Sequence, residues 1–239
     1  MEKPVIKKER VETLYDAGFL KLYDLNYKEG KHYFDATRRN REDIVAVKTD
    51  EEFKRMLPDA VTTGVAVRLP DGSEKLLLQY EYRYPAGQFL LSPVAGLIDP
   101  EDRAEYERLR ENGEGVTREM LEAEYEKVLK TAAAREIYEE TGITVRPEDK
   151  VTVINPCAFS SPGMTDESNA FLFAGIELEN TDCLNNDGAV GSELFSGFEL
   201  IDREQAAELY RTGRDKNGNF FSLATWAVLG YYLNADRHS

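Results

Sequence analysis

The chain has 239 residues, an apolar fraction of 41% and a formal net charge of −15. This charge opposes non-specific binding to nucleic acid, and the two histidines do not form the H-E-x-x-H pattern of zinc hydrolases. Two cysteines are too few for a disulfide framework, and no apolar run is long enough for a membrane span. Since no signal peptide is recognisable at the start, we expect a soluble, cytoplasmic protein without membrane partners.

Residues 1–60 predict a small β-rich extension. Alternation over 19–25 indicates a strand, and 32–37 is expected to pair back on it as a hairpin. The run Ile44–Val47 predicts another short strand, and 50–57 a short helix. A unit of this size buries little core alone, so we expect it to pack on the main domain or on a second chain.

The main domain is predicted to span residues 61–239. Strands over 63–69 and 75–80 are separated by a turn at 70–73. Further strands are predicted over 151–154, 170–174 and 195–201, and further helices from Asp202 to Gly213 and over 221–233. We expect Trp226 to lie in the core.

Two charged or polar segments interrupt this pattern. Asp99 followed by Pro100 predicts the start of a helix that ends near Gly113, and Thr117 is expected to cap a second helix. Residues 179–191 are rich in Asn and Gly, which predicts a loop that could close on a substrate.

The second helix is predicted to end at Gly142, which suits a left-handed cap. Helical spacing places Ile137 and Tyr138 toward a core. It places three carboxylates on the other face, those of Glu136, Glu139 and Glu140.

Three carboxylates on one face repel one another, and Arg135 can neutralise only part of this charge. A hard divalent cation could offset the rest, because Mg²⁺ and Mn²⁺ prefer carboxylate oxygens. The alternative is a solvated acidic helix face without a ligand.

The sequence Arg-Glu-Ile-Tyr-Glu-Glu-Thr-Gly-Ile at 135–143 resembles the second half of the Nudix box, R-E-apolar-x-E-E-x-G-apolar. The box belongs to hydrolases that cut nucleoside diphosphates linked to another group. The resemblance implies an α+β fold, with a mixed β-sheet sandwiched between helices, whose glutamates bind Mg²⁺, or Mn²⁺, against a pyrophosphate.

Three further segments, 79–85, 92–99 and 160–168, are similar to segments of the ADP-ribose pyrophosphatase branch of that family. In that branch an amino-terminal sheet helps to form a homodimer, so the resemblance implies that residues 1–60 serve in dimerisation. The implied substrate is ADP-ribose or a related nucleoside diphosphate sugar.

The resemblance also implies roles for single residues. Arg83 would hold a phosphate or the terminal ribose, and Tyr82, one of three alternating tyrosines, is a candidate for stacking on a base. Glu167 is the candidate general base, with Asp166 as the alternative. The implied metal ligands are the Ala95 carbonyl, Glu136, Glu140 and Glu139, and the implied catalytic helpers on the helix are Arg135 and Glu139.

The chain departs from the family pattern within the box. Residues 97–134, 38 in all, separate Gly96 from Arg135, whereas the box has 13 there, so a charged helical insert is predicted at about 100–126. The first box glutamate, counted back from Arg135, would fall on Lys127. Either Glu126 or Glu101 could replace it, and the sequence does not choose.

We therefore expect a Mg-dependent Nudix pyrophosphatase that gives AMP, or another nucleoside monophosphate, and a sugar phosphate. The alternatives are a Nudix hydrolase of a different nucleotide and a Nudix-like module that binds a nucleotide without cutting it.

Overall fold

A computed structural model describes residues 3–113, 115–189, 191 and 193–234. The chain forms two compact units. The first contains Met1–Asp59 and Cys157–Asn169, and the second contains Ala60–Pro156 and Ala170–Ser239. Within the described residues, no helix is both long enough and apolar enough to cross a membrane.

The first unit is built on an antiparallel sheet in the order β1-β2-β3. Its regular elements are β1 (Val11–Asp16), β2 (Lys21–Lys28), β3 (Lys31–Thr37) and a short helix α1 (Asp50–Lys54). The predicted hairpin is confirmed, since Lys28 pairs with Lys31 across its turn. Thr49 caps α1 in a capping box with Glu52.

The small core of the first unit consists of Val11, Tyr23, Leu25 and Ile44. The predicted strand over Ile44–Val47 is wrong, because Val45–Val47 forms a single 3-10 turn. Local hydrogen bonds, from Val47 N–H to the Ile44 carbonyl and from Lys48 N–H to the Val45 carbonyl, close this turn. The β-branched side chains therefore fill a core without joining a sheet.

The second unit contains the remaining elements, although the far ends of β8 and β9 and the loop between them belong to the first unit. Its strands are β4 (Ala60–Arg68), β5 (Glu74–Arg83), β6 (Gln88–Ser92), β7 (Val94–Leu97), β8 (Lys150–Phe159), β9 (Ser168–Glu177) and β10 (Phe195–Ile201). Its helices are α2 (Pro100–Asn112), α3 (Arg118–Thr141), α4 (Arg203–Thr212) and α5 (Leu223–Asn234).

The seven strands form one sheet in the order β10-β5-β4-β9-β8, with β6 paired to β5 and β7 paired to β4. Strand β4 has apolar side chains on both faces of the sheet. Val65 and Val67 pack with Ile137 of α3, whereas Ala66 packs with Val228 of α5. Helices therefore cover both faces, and the predicted α+β class with a sheet between helices is confirmed.

The insert forms a helical hairpin that consists of α2 and the first half of α3. Its caps are as predicted, because α2 starts after Asp99 and the Thr117 hydroxyl accepts from Met120 N–H at the start of α3. The Tyr106 and Tyr125 rings meet edge to face, with centroids 5.6 Å apart.

Two predictions of buried aromatic side chains are wrong. Trp226 is 43% exposed, because α5 turns Thr225, Val228 and Leu229 inward and leaves Trp226 on another side, where it stacks on Tyr210 at 4.6 Å. Tyr138 is 59% exposed, since Ile137 alone of the two predicted core residues faces the sheet.

Candidate active site

The last turns of α3 carry the predicted acidic cluster, which we call the acidic site (Arg135, Glu136, Glu139 and Glu140). Glu136 and Glu140 are one helical turn apart, and their residues are only 6% and 3% exposed. Glu139 is partly exposed, and Gly142 ends the helix with φ 73° as predicted. The helix thus removes two carboxylates from solvent, which a merely solvated acidic face would not do.

Gly96 on β7 makes room for one of these carboxylates. A β-carbon placed on Gly96 would lie 2.0 Å from Glu136 Cδ and 2.1 Å from both of its carboxylate oxygens. No side chain fits in that space, so the Glu136 carboxylate packs directly on the backbone of the strand. Glycine is therefore required at position 96 because the Glu136 carboxylate approaches the strand backbone so closely.

Arg135 crosses the acidic site and pairs with two of its glutamates. Its Nη1 lies 2.7 Å from Glu136 Oε1 and 3.1 Å from Glu139 Oε2. Its Nη2 donates to the Leu97 carbonyl at 2.7 Å. The guanidinium thus ties α3 to the end of β7 and orients both carboxylates.

Asp102 of α2 occupies the place expected for the first box glutamate. It lies 3.2 Å from Arg135 Nη2, and its side chain is 10% exposed. The predicted alternatives lie elsewhere, since Glu126 pairs with Lys130 and Glu101 is exposed, and the choice among the three carboxylates stays a prediction. Asp102 is six residues after Gly96, the box spacing counted from the glycine, so counting forward from Gly96 rather than back across the insert would have found it.

Glu140 is held by two hydrogen bonds, both to Oε2. Gln79 Nε2 donates to this oxygen, and so does the backbone N–H of Ala95, at 3.3 Å. The predicted ligand residue Ala95 thus lies beside Glu140. Gln79 carries no signal of this role in the sequence, because nothing local marks a strand glutamine as the partner of a helix residue 61 positions away.

The two buried carboxylates carry strongly perturbed pKa values. Burial raises the pKa of Glu136 to about 7, although Arg135 opposes the change. Burial raises the pKa of Glu140 well above its usual value, and the charges of Glu81 and Glu136 raise it further. The single guanidinium of Arg135 therefore leaves negative charge in the acidic site uncompensated.

The predicted substrate residues lie at the end of β5. Arg83 is partly exposed and pairs with the buried Glu81 at 2.6 Å. The Tyr82 ring meets Tyr84 and Phe89 edge to face, with centroid distances of 5.0 and 5.2 Å. An accessible guanidinium beside an aromatic group can bind a phosphate and a flat ring.

Glu167, the predicted general base, belongs to the first unit. Its Oε1 accepts from Arg38 Nη1 at 2.7 Å. The alternative, Asp166, is buried and accepts from Val45 N–H at 2.9 Å, with Arg39 Nε 3.6 Å away. Glu167 is therefore the accessible member of the pair, and its role as a base stays a prediction.

The residues of the acidic site fit a divalent cation of the Mg²⁺ type. Among the described residues, no three Asp, Glu, His or Cys side chains converge into a group that could hold a metal alone. Mg²⁺ is usually bound by one or two carboxylates together with substrate phosphates and water, so Glu136 and Glu140 suffice. Burial raises both pKa values, and the guanidinium of Arg135 only partly opposes this for Glu136.

No protein-family model matches the chain. A curated relative, the Schizosaccharomyces pombe protein named Uncharacterized Nudix hydrolase P35G2.12, is 28% identical over 127 residues. The match covers 53% of this chain and 47% of the relative, so the chain spans about half of the relative's length.

Two solved structures are similar. An ADP compounds hydrolase superposes with a TM-score of 0.53 and 17% identity, over 100% of this chain and 98% of that chain. The C. elegans Ap4A hydrolase in a binary complex has a TM-score of 0.43 and 14% identity, over 75% of this chain and 99% of that chain. The first likeness shows a shared fold. The motif on α3 and the curated relative both indicate similarity to the Nudix hydrolase family.

Proposed function

We propose that the chain hydrolyses the pyrophosphate of ADP-ribose, or of a related nucleoside diphosphate sugar, with Mg²⁺ or Mn²⁺ as the cofactor. The observation that carries the proposal is the buried pair Glu136 and Glu140, which the single guanidinium of Arg135 leaves undercompensated. The similar ADP compounds hydrolase supports an ADP-containing substrate.

In this proposal Glu136, Glu140 and the Ala95 carbonyl hold the cation, and Glu139 takes part. When bound, the cation neutralises the pyrophosphate and lowers the pKa of water. Arg135 keeps the carboxylates of Glu136 and Glu139 in place, as its two ion pairs indicate.

The remaining roles belong to residues that contact the substrate. Arg83 binds a phosphate or the terminal ribose, and Tyr82 stacks on a ring. Glu167, whose Oε1 accepts from Arg38, accepts the proton of the attacking water. The water oxygen forms a bond to phosphorus, the bridging P–O bond breaks, and the products are AMP and a sugar phosphate.

The proposed assembly is a homodimer through the first unit. That unit exposes large apolar side chains on or next to its sheet, including those of Leu14, Tyr15, Phe19 and Leu20. Exposed apolar groups in such number are typical of surfaces that bind another protein. Light scattering coupled to size exclusion should give twice the 27.1 kDa chain mass. A monomer at micromolar concentration would contradict the dimer and leave the proposed reaction standing.

The test of the reaction is an assay of the purified chain with Mg²⁺ and ADP-ribose, with UDP-sugars in parallel and with products resolved by chromatography. We expect AMP from the wild type and its loss in Glu140→Gln, whereas Glu126→Gln, on the exposed part of the same helix, should retain activity. Tight binding of ADP-ribose without turnover would instead identify a nucleotide sensor, and turnover of the UDP-sugars alone would move the substrate to a different nucleotide.

A further inference from the structure

The loop between β9 and β10 is seated on the end of α3. Asn185 N–H donates to the Thr141 carbonyl at 3.1 Å. Gly188 lies against the backbone of Glu139, where an added β-carbon would be 2.5 Å from the Glu139 carbonyl oxygen. Any larger residue at 188 would push the loop away from the helix. The described part of this loop therefore contacts the residues of the acidic site directly.

One side chain of the loop connects the helix to the sheet. Asn186 Nδ2 donates to the Glu140 carbonyl, one of the last four carbonyls of α3, which have no partner within the helix. The same Nδ2 donates to Gln79 Oε1 at 3.2 Å. Gln79 is 1% exposed, and its Nε2 donates to Glu140 Oε2. Asn186 and Gln79, which we call the amide bridge, thus hold both the backbone and the side chain of Glu140.

The amide bridge fixes which end of Gln79 faces the carboxylate. An amide has a donor end and an acceptor end, and Asn186 offers only N–H groups from Nδ2. Gln79 must therefore turn Oε1 toward Asn186 and Nε2 toward Glu140. The opposite orientation would place two acceptor oxygens, Gln79 Oε1 and Glu140 Oε2, in contact within a buried site.

The same arrangement selects one oxygen of Glu140. Gln79 and the Ala95 N–H both occupy Oε2, and no described residue donates to Oε1. A carboxylate whose first oxygen is fixed presents its second oxygen in a single direction. Hydrogen-bond partners behind metal ligands generally orient the ligands in this way.

We infer that Asn186, acting through Gln79, is a positioning residue that orients Glu140 toward the divalent cation. The inference rests on the proposed function, since it assumes that Glu140 is a ligand. It extends the site to a loop that contributes no ligand of its own.

The experiment is a titration with Mn²⁺ at pH 8, with bound ion measured by electron paramagnetic resonance. We expect Asn186→Ala to weaken Mn²⁺ binding about 10-fold, the lower end of the range for lost partners of metal ligands. Asn186→Asp should weaken it further, because a carboxylate there would face two acceptor oxygens. Asn185→Ala is the matched control, since the hydrogen bonds of that side chain among the described residues, to the Cys183 carbonyl and from Asp187 N–H, stay within the loop. This variant should bind Mn²⁺ as the wild type does.

A role in folding alone is separated by a double-mutant cycle. If Asn186 acts through Gln79, then Asn186→Ala should add little to the loss of affinity that Gln79→Met causes alone. Should circular dichroism show Asn186→Ala to be unfolded, Gln79→Met alone must show the weakened binding. The inference is overturned if the wild type binds Mn²⁺ and the folded Asn186→Ala variant binds Mn²⁺ equally well. Where Asn186→Ala is unfolded, equal binding of Mn²⁺ by Gln79→Met overturns it. Absence of Mn²⁺ binding by the wild type would overturn the proposed function, and the inference with it.

Discussion

The two halves of α3 both carry closely spaced charged side chains, but their surroundings are opposite. In residues 118–131, charged side chains pair along the helix, with Arg118–Glu122 at 2.6 Å and Lys130–Glu126 at 2.7 Å, and they stay in contact with solvent. In residues 132–141, Glu136 and Glu140 are buried against the sheet, and Glu140 receives partners from β5, β7 and the loop after β9. The difference between a solvated charge and a site lies in tertiary partners that helical spacing cannot reveal.

This comparison also separates two energetic regimes. Exposed pairs one turn apart contribute little, because water screens them and long side chains lose entropy. Buried carboxylates cost free energy unless a cation compensates them. The second half of α3 therefore stores a destabilisation that binding of a cation would relieve, and the following predictions test that contrast from the largest expected effect to the smallest.

The largest effect is expected in the pH dependence of the metal-free protein. The folded-state pKa of Glu136 is about 7, above its value of 4.5 in the unfolded chain, so the folded state retains a proton that the unfolded state releases. The contribution of Glu136 to the free energy of unfolding should therefore be highest below pH 4.5. It should fall by about 3 kcal/mol as the pH rises to 7. Denaturation in EDTA at pH 5 and pH 8 measures the fall.

The control for this prediction is the Glu136→Gln variant, because other carboxyl groups with raised pKa values also lower the stability as pH rises. The buried Asp35, with a pKa of about 7, is one of them. The fall between pH 5 and 8 should be smaller in Glu136→Gln and unchanged in Glu126→Gln. Equal pH slopes in the wild type and Glu136→Gln would contradict the burial of an uncompensated charge.

The next effect concerns the glycine that admits Glu136. Gly96→Ala places a methyl group 2.0 Å from Glu136 Cδ, so we expect a loss of about 1–3 kcal/mol in stability and a loss of hydrolysis. Gly175→Ala is the matched control, since its added carbon meets nothing within 4 Å in the same sheet. Chemical denaturation and the chromatographic assay measure both variants, and similar behaviour of the two would argue against the close approach at Gly96.

A smaller effect is expected for the aspartate that supports Arg135. Asp102→Asn removes the charge 3.2 Å from Arg135 while keeping the shape of the side chain, and we expect about a 10-fold fall in kcat/KM. Steady-state kinetics should show no such change for Glu101→Gln, its exposed neighbour. A larger loss in Glu101→Gln than in Asp102→Asn would return the first box position to Glu101.

The smallest effect is expected on the exposed half of α3. Glu126→Gln breaks a pair whose side chains are 56% and 40% exposed, so the free energy of unfolding should change by less than about 1 kcal/mol. Thermal denaturation in low and high salt measures this change. A loss comparable to that in Gly96→Ala would mean that the insert is coupled to the acidic site.

Local signals in the sequence predicted much of the fold. Asp99, Thr117 and Gly142 mark helix ends by their own capping chemistry, and the continuous apolar runs around Val65 and Leu77 suit strands that are buried on both faces. These features depend on residues close along the chain, which is why a single sequence contains them.

The parts that the sequence did not predict depend on distant partners. Gln79 and Asn186 meet Glu140 only after the sheet, the helix and the loop have assembled. Trp226 was expected in the core because α5 is apolar all round, and only tertiary packing decides which side of such a helix is buried. Asp102 was missed because the insert separates it from the motif along the chain.

The most direct test of the account is a Mn²⁺ titration of the wild type and two matched double variants at pH 8. We predict that Glu136→Gln/Glu140→Gln binds Mn²⁺ at least about 100-fold more weakly than the wild type, while Glu122→Gln/Glu126→Gln, with the same loss of charge on the exposed half of α3, binds it unchanged. Equal affinity in the wild type and both double variants would contradict the claim that the buried carboxylates form a cation site.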